Sequence, residues 1–361
     1  MRGRLAIDSP PGPHNLRAMT ALSRCTADLP GTGGEWRDHL GGCEEVLANE
    51  PGGDGKHVWV KVAKTDLGSQ QARAAVARAV HAPTESVSFA GNRERRGRCV
   101  QWFSLPEDLV EYPQALKTAG AHGKVKVLTI TRSKRPVSEA SVVRLRWSAH
   151  IKGGATNDGY RRATAILDRL RTAGCPNYVA ASRLGKQGSF ARWGRLLVEG
   201  RRLPQQAVRE AEPGRCLGAF QSALFNRWLA TRLDDGLLSS VLAGDRVLTS
   251  RGEEQTVDDV KRWQARLDSW EAVAMGPLFG AGMSPAAEVA AQREQTLLEA
   301  ESLDTAMVAR LHGARRAIRF QPAKPLIDIA GENLAISVDL PPDSYLAVLL
   351  EEVIKPEGHL E

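Results

Sequence analysis

The sequence has 361 residues, 42% of them hydrophobic, enough chain for two domains with cores and too apolar for a disordered protein. Its 49 Lys and Arg against 42 Asp and Glu give a formal charge of +7 and a pI near 9.3, which favours a polyanionic partner. No apolar run reaches bilayer-spanning length, and Met1-Arg2-Gly3-Arg4-Leu5 does not lead into an apolar signal core, so neither a membrane protein nor a secreted one is expected.

The cysteines Cys25, Cys43, Cys99, Cys175 and Cys216 are odd in number and show no C-x-x-C pair or Cys/His zinc spacing. They are expected to be reduced thiols in a cytoplasmic protein, with no metal site. No internal repeat is visible, which sets aside solenoids and propellers.

Residues 1–35 are rich in Pro, Gly and Thr and predict a flexible arm without regular structure. Alternation over Glu45-Val46-Leu47-Ala48 and His57-Val58-Trp59-Val60-Lys61-Val62, about a turn at Pro51-Gly52-Gly53-Asp54-Gly55, predicts a hairpin. The alanine-rich run from Ser69 to Val80 predicts a helix with Ser69 as N-cap. Strands are expected at Lys124 to Ile130 and Val142 to Trp147, so the sheet should be mixed and largely antiparallel. Arg132, Lys134, Arg135, Arg144 and Arg146 make a basic cluster there, readable equally as a solvated sheet face.

An amphipathic helix is predicted from Asp158 to Ala173, stopped by Gly174 and Pro176. From about Ser182 to Arg316 the text is mostly helical, with one helix opening at Ser222 and another long helical segment from Ala286 to Leu311. A strand over Asn333 to Leu340 and a helix from Leu346 to Ile354 close the chain.

The stretch that organises the rest runs from Phe89 to Trp102, F-A-G-N-R-E-R-R-G-R-C-V-Q-W. It sets Glu94 among Arg93, Arg95, Arg96 and Arg98, behind a hinge at Gly91. Guanidiniums around a carboxylate keep it ionised and attract phosphates, although such a run is ordinarily a solvated turn.

This stretch resembles the catalytic motif of the TruD family of tRNA pseudouridine synthases, roughly F-A-G-x-K-D-x-x-A-x-T-x-Q-W. Phe89, Ala90, Gly91, Gln101 and Trp102 match, while the nucleophilic aspartate falls on Glu94, its preceding lysine on Arg93 and the threonine on Cys99. Cys43 to Glu50 is similar to the family's P-E-D-F-x-V-x-E, with agreement at Glu44 and Glu50 and the base-facing aromatic falling on Val46. Arg144 to Thr156 is similar to K-L-R-x-G-x-x-x-G-N-x-F through Leu145, Arg146, Lys152 and Gly153, with the base-holding asparagine on Gly154 and the phenylalanine on Thr156. Gly174, Pro176, Asn177, Tyr178, Arg183 and Gly185 fit G-V-P-N-Y-F-G-x-Q-R-F-G, Ser222 to Asn226 reads S-A-L-F-N, and Tyr345 takes the place of the aromatic in a C-terminal P-x-G-S-[FY]-A-T pattern.

The resemblance implies an α+β fold. A pseudouridine synthase catalytic domain (36–175 and 320–361), with a mixed, largely antiparallel sheet, would be interrupted by a mainly helical TRUD-type domain (176–319). It further implies isomerisation of uridine to pseudouridine in tRNA or other RNA, the uridine flipped out and held by stacking and edge contacts, without cofactor or metal. Glu94 is then the expected nucleophile, and Arg93, Lys152, Gly154, Asn177, Arg183 and Tyr345 the expected substrate-binding residues. Two further readings stay open: an inactive RNA-binding paralogue, and an enzyme that makes pseudouridine from a free uridine nucleotide in C-nucleoside biosynthesis. For Tyr345, a core tyrosine at a strand-helix junction is the competing expectation.

Overall fold

The structure, a computed structural model, describes residues 22–120 and 123–355. The chain divides into two compact units with crossings at Cys175/Pro176 and Arg319/Phe320. One unit holds Thr26–Cys175 and the return from Phe320, and the other holds Pro176–Arg319 with residues 22–25. The described helices include none long and apolar enough to cross a membrane.

The first unit is built on a sheet whose strands are β1 (Glu35–Leu47), β2 (His57–Thr65), β3 (Ser88–Phe89), β4 (Arg98–Pro106), β5 (Val125–Ser133) and β6 (Val142–Lys152), plus Ala323–Ala330 and Asn333–Leu340. Their order is Ala323–Ala330, Asn333–Leu340, β6, β1, β4, β2, β5, with β3 also on β4. Only β1 and β4 run parallel among these described pairs, in the register Gly42↔Arg98, Cys43↔Cys99 and Glu44↔Val100.

That pairing corrects the expected hairpin. β4 lies between β1 and β2, so Glu44 faces Val100, which faces Ala63. Local alternation reported both strands but could not show which third strand would separate them. The parallel register also corrects the expectation of reduced thiols at two of the five cysteines, because Cys43 and Cys99, 56 residues apart, face each other with Cα atoms 4.6 Å apart and form a disulfide.

Period-two burial fixes which face is which. Val58, Val60 and Val62 of β2, with Phe103 and Leu105 of β4, pack against Ala72 and Val76 of α1 (Ser69–Ala79). On β6, Leu145, Ala149 and Ile151 are buried while Arg146, Ser148 and Lys152 are exposed. Helix α2 (Asn157–Ala173) buries Ala163, Ile166, Leu167 and Leu170, and packs on Ala323–Ala330 and on the last helix, Leu346–Ile354.

The N-cap of α1 is Gly68, one residue before the expected Ser69, whose hydroxyl is engaged elsewhere. The described part of the expected arm, residues 22–34, has no helix or strand yet is tied down. Thr26 is fully buried and donates from Oγ1 to Glu352 at 2.6 Å, and the N–H groups of Thr32 and Gly33 donate to Val353 and Ile354 carbonyls. A buried carboxylate on the last helix thus replaces the flexibility expected there, and residues 1–21 lie outside the described residues.

The second unit holds more helix than strand, as expected, and adds a sheet that composition did not signal. Helices Ser189–Val198 and Pro213–Asp234 pack together beside an antiparallel sheet ordered His312–Ala317, Ala272–Gly280, Arg246–Thr249, Glu254–Thr256. The expected segment Ala286 to Leu311 breaks into Glu288–Ala300 and Thr305–Val308, with Ser302 at φ 54° between them. Ala314 to Ala317 belongs to a strand, where Arg315 reaches Glu294 of helix Glu288–Ala300.

Candidate active site

The loop from Gly91 to Gly97 leaves the short strand β3 and enters β4. Gly91 and Gly97 both take positive φ, 87° and 73°, so a glycine brackets each end where a Cβ would be strained. Between them Glu94, Arg95 and Arg96 are exposed, as is Arg98 at the start of β4. Gln101, fully buried, donates to the Gly91 carbonyl at 2.7 Å and so ties the loop's first hinge to β4.

Beneath the loop lies a buried cluster of charge. Arg93 turns inward, donating from Nε to Glu45 Oε1 at 2.9 Å and from Nη2 to the Ala90 carbonyl at 2.7 Å. The second oxygen of Glu45 accepts from Trp102 N–H at 2.8 Å, so this carboxylate, 3% exposed, binds the loop and β4 at once. Burial pushes the Glu45 carboxyl above its usual range, against the opposing pull of Arg93 and the Trp102 N–H.

Lys64, at the end of β2 and 1% exposed, donates to the carbonyls of Leu67 at 2.9 Å and Glu94 at 2.5 Å. Burial lowers its pKa to about 8, and the Glu94 and Glu45 carboxylates work against that fall. A charged exposed tip above a buried charged base is an arrangement that can present a carboxylate at a fixed place.

The sheet face beside the loop is also charged. Arg146 makes a two-pronged contact with Asp339, at 2.9 and 3.2 Å, and Glu44 pairs with Lys61 at 2.5 Å. The Asp339 carboxylate, and more weakly that of Glu44, push Arg146 above its usual range. Arg98, Arg146, Ser148 and His150 line an open concavity of about 350 Å³ floored by Gly41 and Gly42. A Cβ on Gly41 would stand 2.1 Å from the Ser148 carbonyl, so glycine is required for β1 to approach β6 there.

The tRNA pseudouridine synthase D (TruD) family model matches residues 21–210 and 216–353, nearly the whole chain. The chain belongs to the TruD family. It is 34% identical over 354 residues to the tRNA pseudouridine synthase D of Anaeromyxobacter dehalogenans, covering 95% of this chain and 99% of that one. The Thermus thermophilus protein of the same description is 32% identical over 349 residues, with 93% of each chain covered. Among solved structures, a TruD protein of Methanosarcina mazei superposes with a TM-score of 0.72 at 17% identity, over 94% of this chain and 97% of that one, a likeness of fold.

The structure distributes the expected TruD site residues unevenly. Glu94 is exposed at the loop's crest, and Lys152 is exposed at the end of β6. Tyr345 is half-buried as the N-cap of the last helix. Arg93 does not face outward as a substrate ligand would; its guanidinium is taken up by Glu45, Ala90 and Asn92.

Asn177 is corrected outright as a substrate contact. It is 1% exposed in the Pro176–Arg319 unit, its amide donates to the Ala317 carbonyl, and its oxygen accepts from Arg316 at 2.8 Å. Both ends of the side chain are therefore engaged in holding a strand. Gly154 is buried, and a Cβ there would meet Ile151 and Leu334 at 3.3 and 3.4 Å, so the position is packing. Thr156 caps α2, accepting from Gly159 N–H. Arg183 is exposed on the turn Ala181–Leu184 of the second unit.

Glu45 and Lys64 were not singled out from the sequence. The signal was available: Lys64 keeps phase with Val58, Val60 and Val62 on the buried face of β2, and Glu45 keeps phase with the buried Cys43 on β1. A charged residue in step with an apolar face is a buried-charge signal.

Proposed function

We propose that the protein isomerises uridine to pseudouridine, in tRNA or other RNA, with the Glu94 carboxylate as nucleophile. The relatives named above carry that activity in their description, and the observation that carries the reading here is the exposed Glu94 on a loop fastened by a buried ion pair. In this reading the carboxylate attacks C1′ of a flipped uridine and the N1–C1′ bond breaks. Uracil then turns, C5 bonds to C1′ as the ester to Glu94 is released, and the proton on C5 is replaced by one on N1. No atom is gained or lost, and the chemistry calls for no cofactor or metal.

The unit containing the eight-stranded sheet is the catalytic domain in this proposal, 36–175 and 320–361, and 176–319 is the TRUD-type insertion. The protein would work in the cytoplasm, where its substrate is. Arg95, Arg96 and Arg98 offer exposed positive charge for a phosphate backbone. Lys152 and Tyr345 are proposed as further substrate contacts, Tyr345 by packing its ring on the base. Arg93 positions the loop, while Gly154 and Asn177 are taken up by packing and strand contacts.

The packed Gly154 and the capping Thr156 favour a second reading, because neither can hold a base as an asparagine and a phenylalanine would. A free uridine nucleotide needs fewer such contacts than an extruded RNA base, and an inactive RNA-binding protein needs none. Tritium release from C5-labelled uracil in tRNA, oligonucleotides, UMP and UTP separates the three. Product from tRNA supports the first reading, product from the nucleotides alone supports the second, and tight salt-sensitive tRNA binding with no product supports the inactive paralogue. Loss of product in Glu94→Gln is expected, and full activity in that variant removes Glu94 from the mechanism.

A further inference from the structure

We propose that Lys64 is a positioning residue for the nucleophile: its buried ammonium, donating to the Glu94 carbonyl, fixes the backbone from which the carboxylate projects. The proposal rests on the reading of Glu94 above. Its own support is geometric and comes from one short stretch of chain.

The turn between β2 and α1 holds the Gly91–Gly97 loop at three points. Ser69 Oγ accepts from Arg93 N–H at 2.9 Å, Lys64 Nζ donates to the Glu94 carbonyl at 2.5 Å, and Asp66 Oδ1 accepts from Gly97 N–H at 2.9 Å. The Gly97 carbonyl closes the ring by accepting from Asp66 N–H at 3.1 Å. Lys64 is the middle tether, and it alone of the three acts on Glu94 itself.

A lysine suits the place. Its stem keeps step with the valines on the buried face of β2, and its tip donates to two carbonyls, those of Leu67 and Glu94. An ammonium has three donors and no acceptor, and its bonds to carbonyls are about twice as strong as neutral ones. The charged groups around it are Glu94 and Arg93 on the loop and Glu45 on β1, one positive and two negative. The tether takes hold of the Glu94 backbone itself, the part of the chain that sets where the carboxylate starts from. That placement matters for a reacting group, since a misplacement of about 1 Å can cost about 100-fold in rate.

The test compares wild type with Lys64→Met, which keeps the stem and removes the donors, and Lys64→Arg, which restores donors at greater length. Tritium release from the active substrate gives kcat and KM, and hydrogen exchange followed by mass spectrometry gives the protection of the 91–97 loop. Lys64→Met should lower kcat about 100-fold and leave KM within about twofold, because binding contacts are untouched. It should speed exchange in the loop while leaving β6 and α2 protected, and Lys64→Arg should recover part of both losses.

The proposal is overturned if Lys64→Met keeps kcat within about threefold of wild type, or if exchange quickens equally throughout the unit, the mark of a general structural role. Should wild type form no pseudouridine from any substrate, the reading of Glu94 fails by itself. Unchanged loop exchange in Lys64→Met, or no recovery in Lys64→Arg, would then defeat the tether separately.

Discussion

Arg232–Asp245 in the second unit and Arg93–Glu45 in the first are both buried ion pairs, and they differ in what surrounds them. The Arg232 guanidinium, fully buried, meets both oxygens of Asp245 at 2.8 and 2.6 Å and also donates to the carbonyls of Leu237 and Ser240. Asp245 takes a further bond from Leu242 N–H, and its partner is only 13 residues away. Charge is balanced, the Arg315–Glu294 pair that acts on it is balanced too, and the pair closes the turn after helix Pro213–Asp234. Arg93 and Glu45 are 48 residues apart, share one contact, and have the second cation of Lys64 nearby, under an exposed carboxylate. A balanced pair serves as scaffold, whereas an unbalanced cluster beneath an exposed acid is the kind of arrangement found where chemistry is held in place.

The largest expected effect tests the exposed acid above that cluster. Glu94→Gln should reduce pseudouridine formation on the order of 10⁴-fold or more, as loss of a nucleophile does, with the melting temperature unchanged. A variant that keeps its rate would reduce the Arg93–Glu45 cluster to scaffold as well. Next in size, Asp245→Asn should cost about 3–5 kcal/mol in urea unfolding, since it strands a fully buried guanidinium, while kcat measured on the folded fraction stays put.

The disulfide bears on the same contrast, because Cys43 and Cys99 join the strand of Glu45 to the strand that follows the loop. For a separation of 56 residues, loop entropy gives about 4 kcal/mol as the stabilisation lost on reduction or in Cys43→Ser. Alkylation and intact-mass measurement on protein purified without reductant reports how much of the bond is formed. Glu45→Gln ranks lower. It keeps an acceptor for Trp102 N–H but removes the charge that holds Arg93, and kcat should fall about 100-fold through displacement of the loop. An unchanged kcat there would make the two buried pairs equivalent.

Much of this molecule was legible from the text of the chain. The strand Asn333–Leu340, the helix ending at Ala173 and the last helix stand within a residue or so of where periodicity and capping put them. The crest of the loop was legible because Phe89-Ala90-Gly91 and Gln101-Trp102 resemble a known motif and Gly91 takes the predicted turn. The base of the loop was not. Pairing of β1 with β4 depends on residues 56 apart, and local alternation is blind to it. That one misread pairing hid the disulfide, while the motif match singled out Glu44, half-exposed and paired with Lys61, and passed over Glu45 beside it. Asn177 failed for another reason: a sequence match says that a residue type is present, and only the fold shows that Ala317 and Arg316 have already claimed both ends of its amide.

The last effect concerns Lys64 and has a definite sign. Its pKa is lowered from 10.5 to about 8 by burial, so between those values the unfolded chain binds a proton that the native protein does not. Stability rises with pH wherever the unfolded state binds more protons, so the burial cost of this ammonium is present in full below pH 8 and is relieved as pH climbs toward 10.5. Other lysines and tyrosines titrate in the same range, which is why the measurement is a difference between wild type and Lys64→Met in urea unfolding. From pH 8 to 10.5 wild type should gain on the variant. A flat difference would mean that Lys64 is as well solvated as a surface lysine, and the loop would then stand on a base no different in kind from the balanced pair in the other unit.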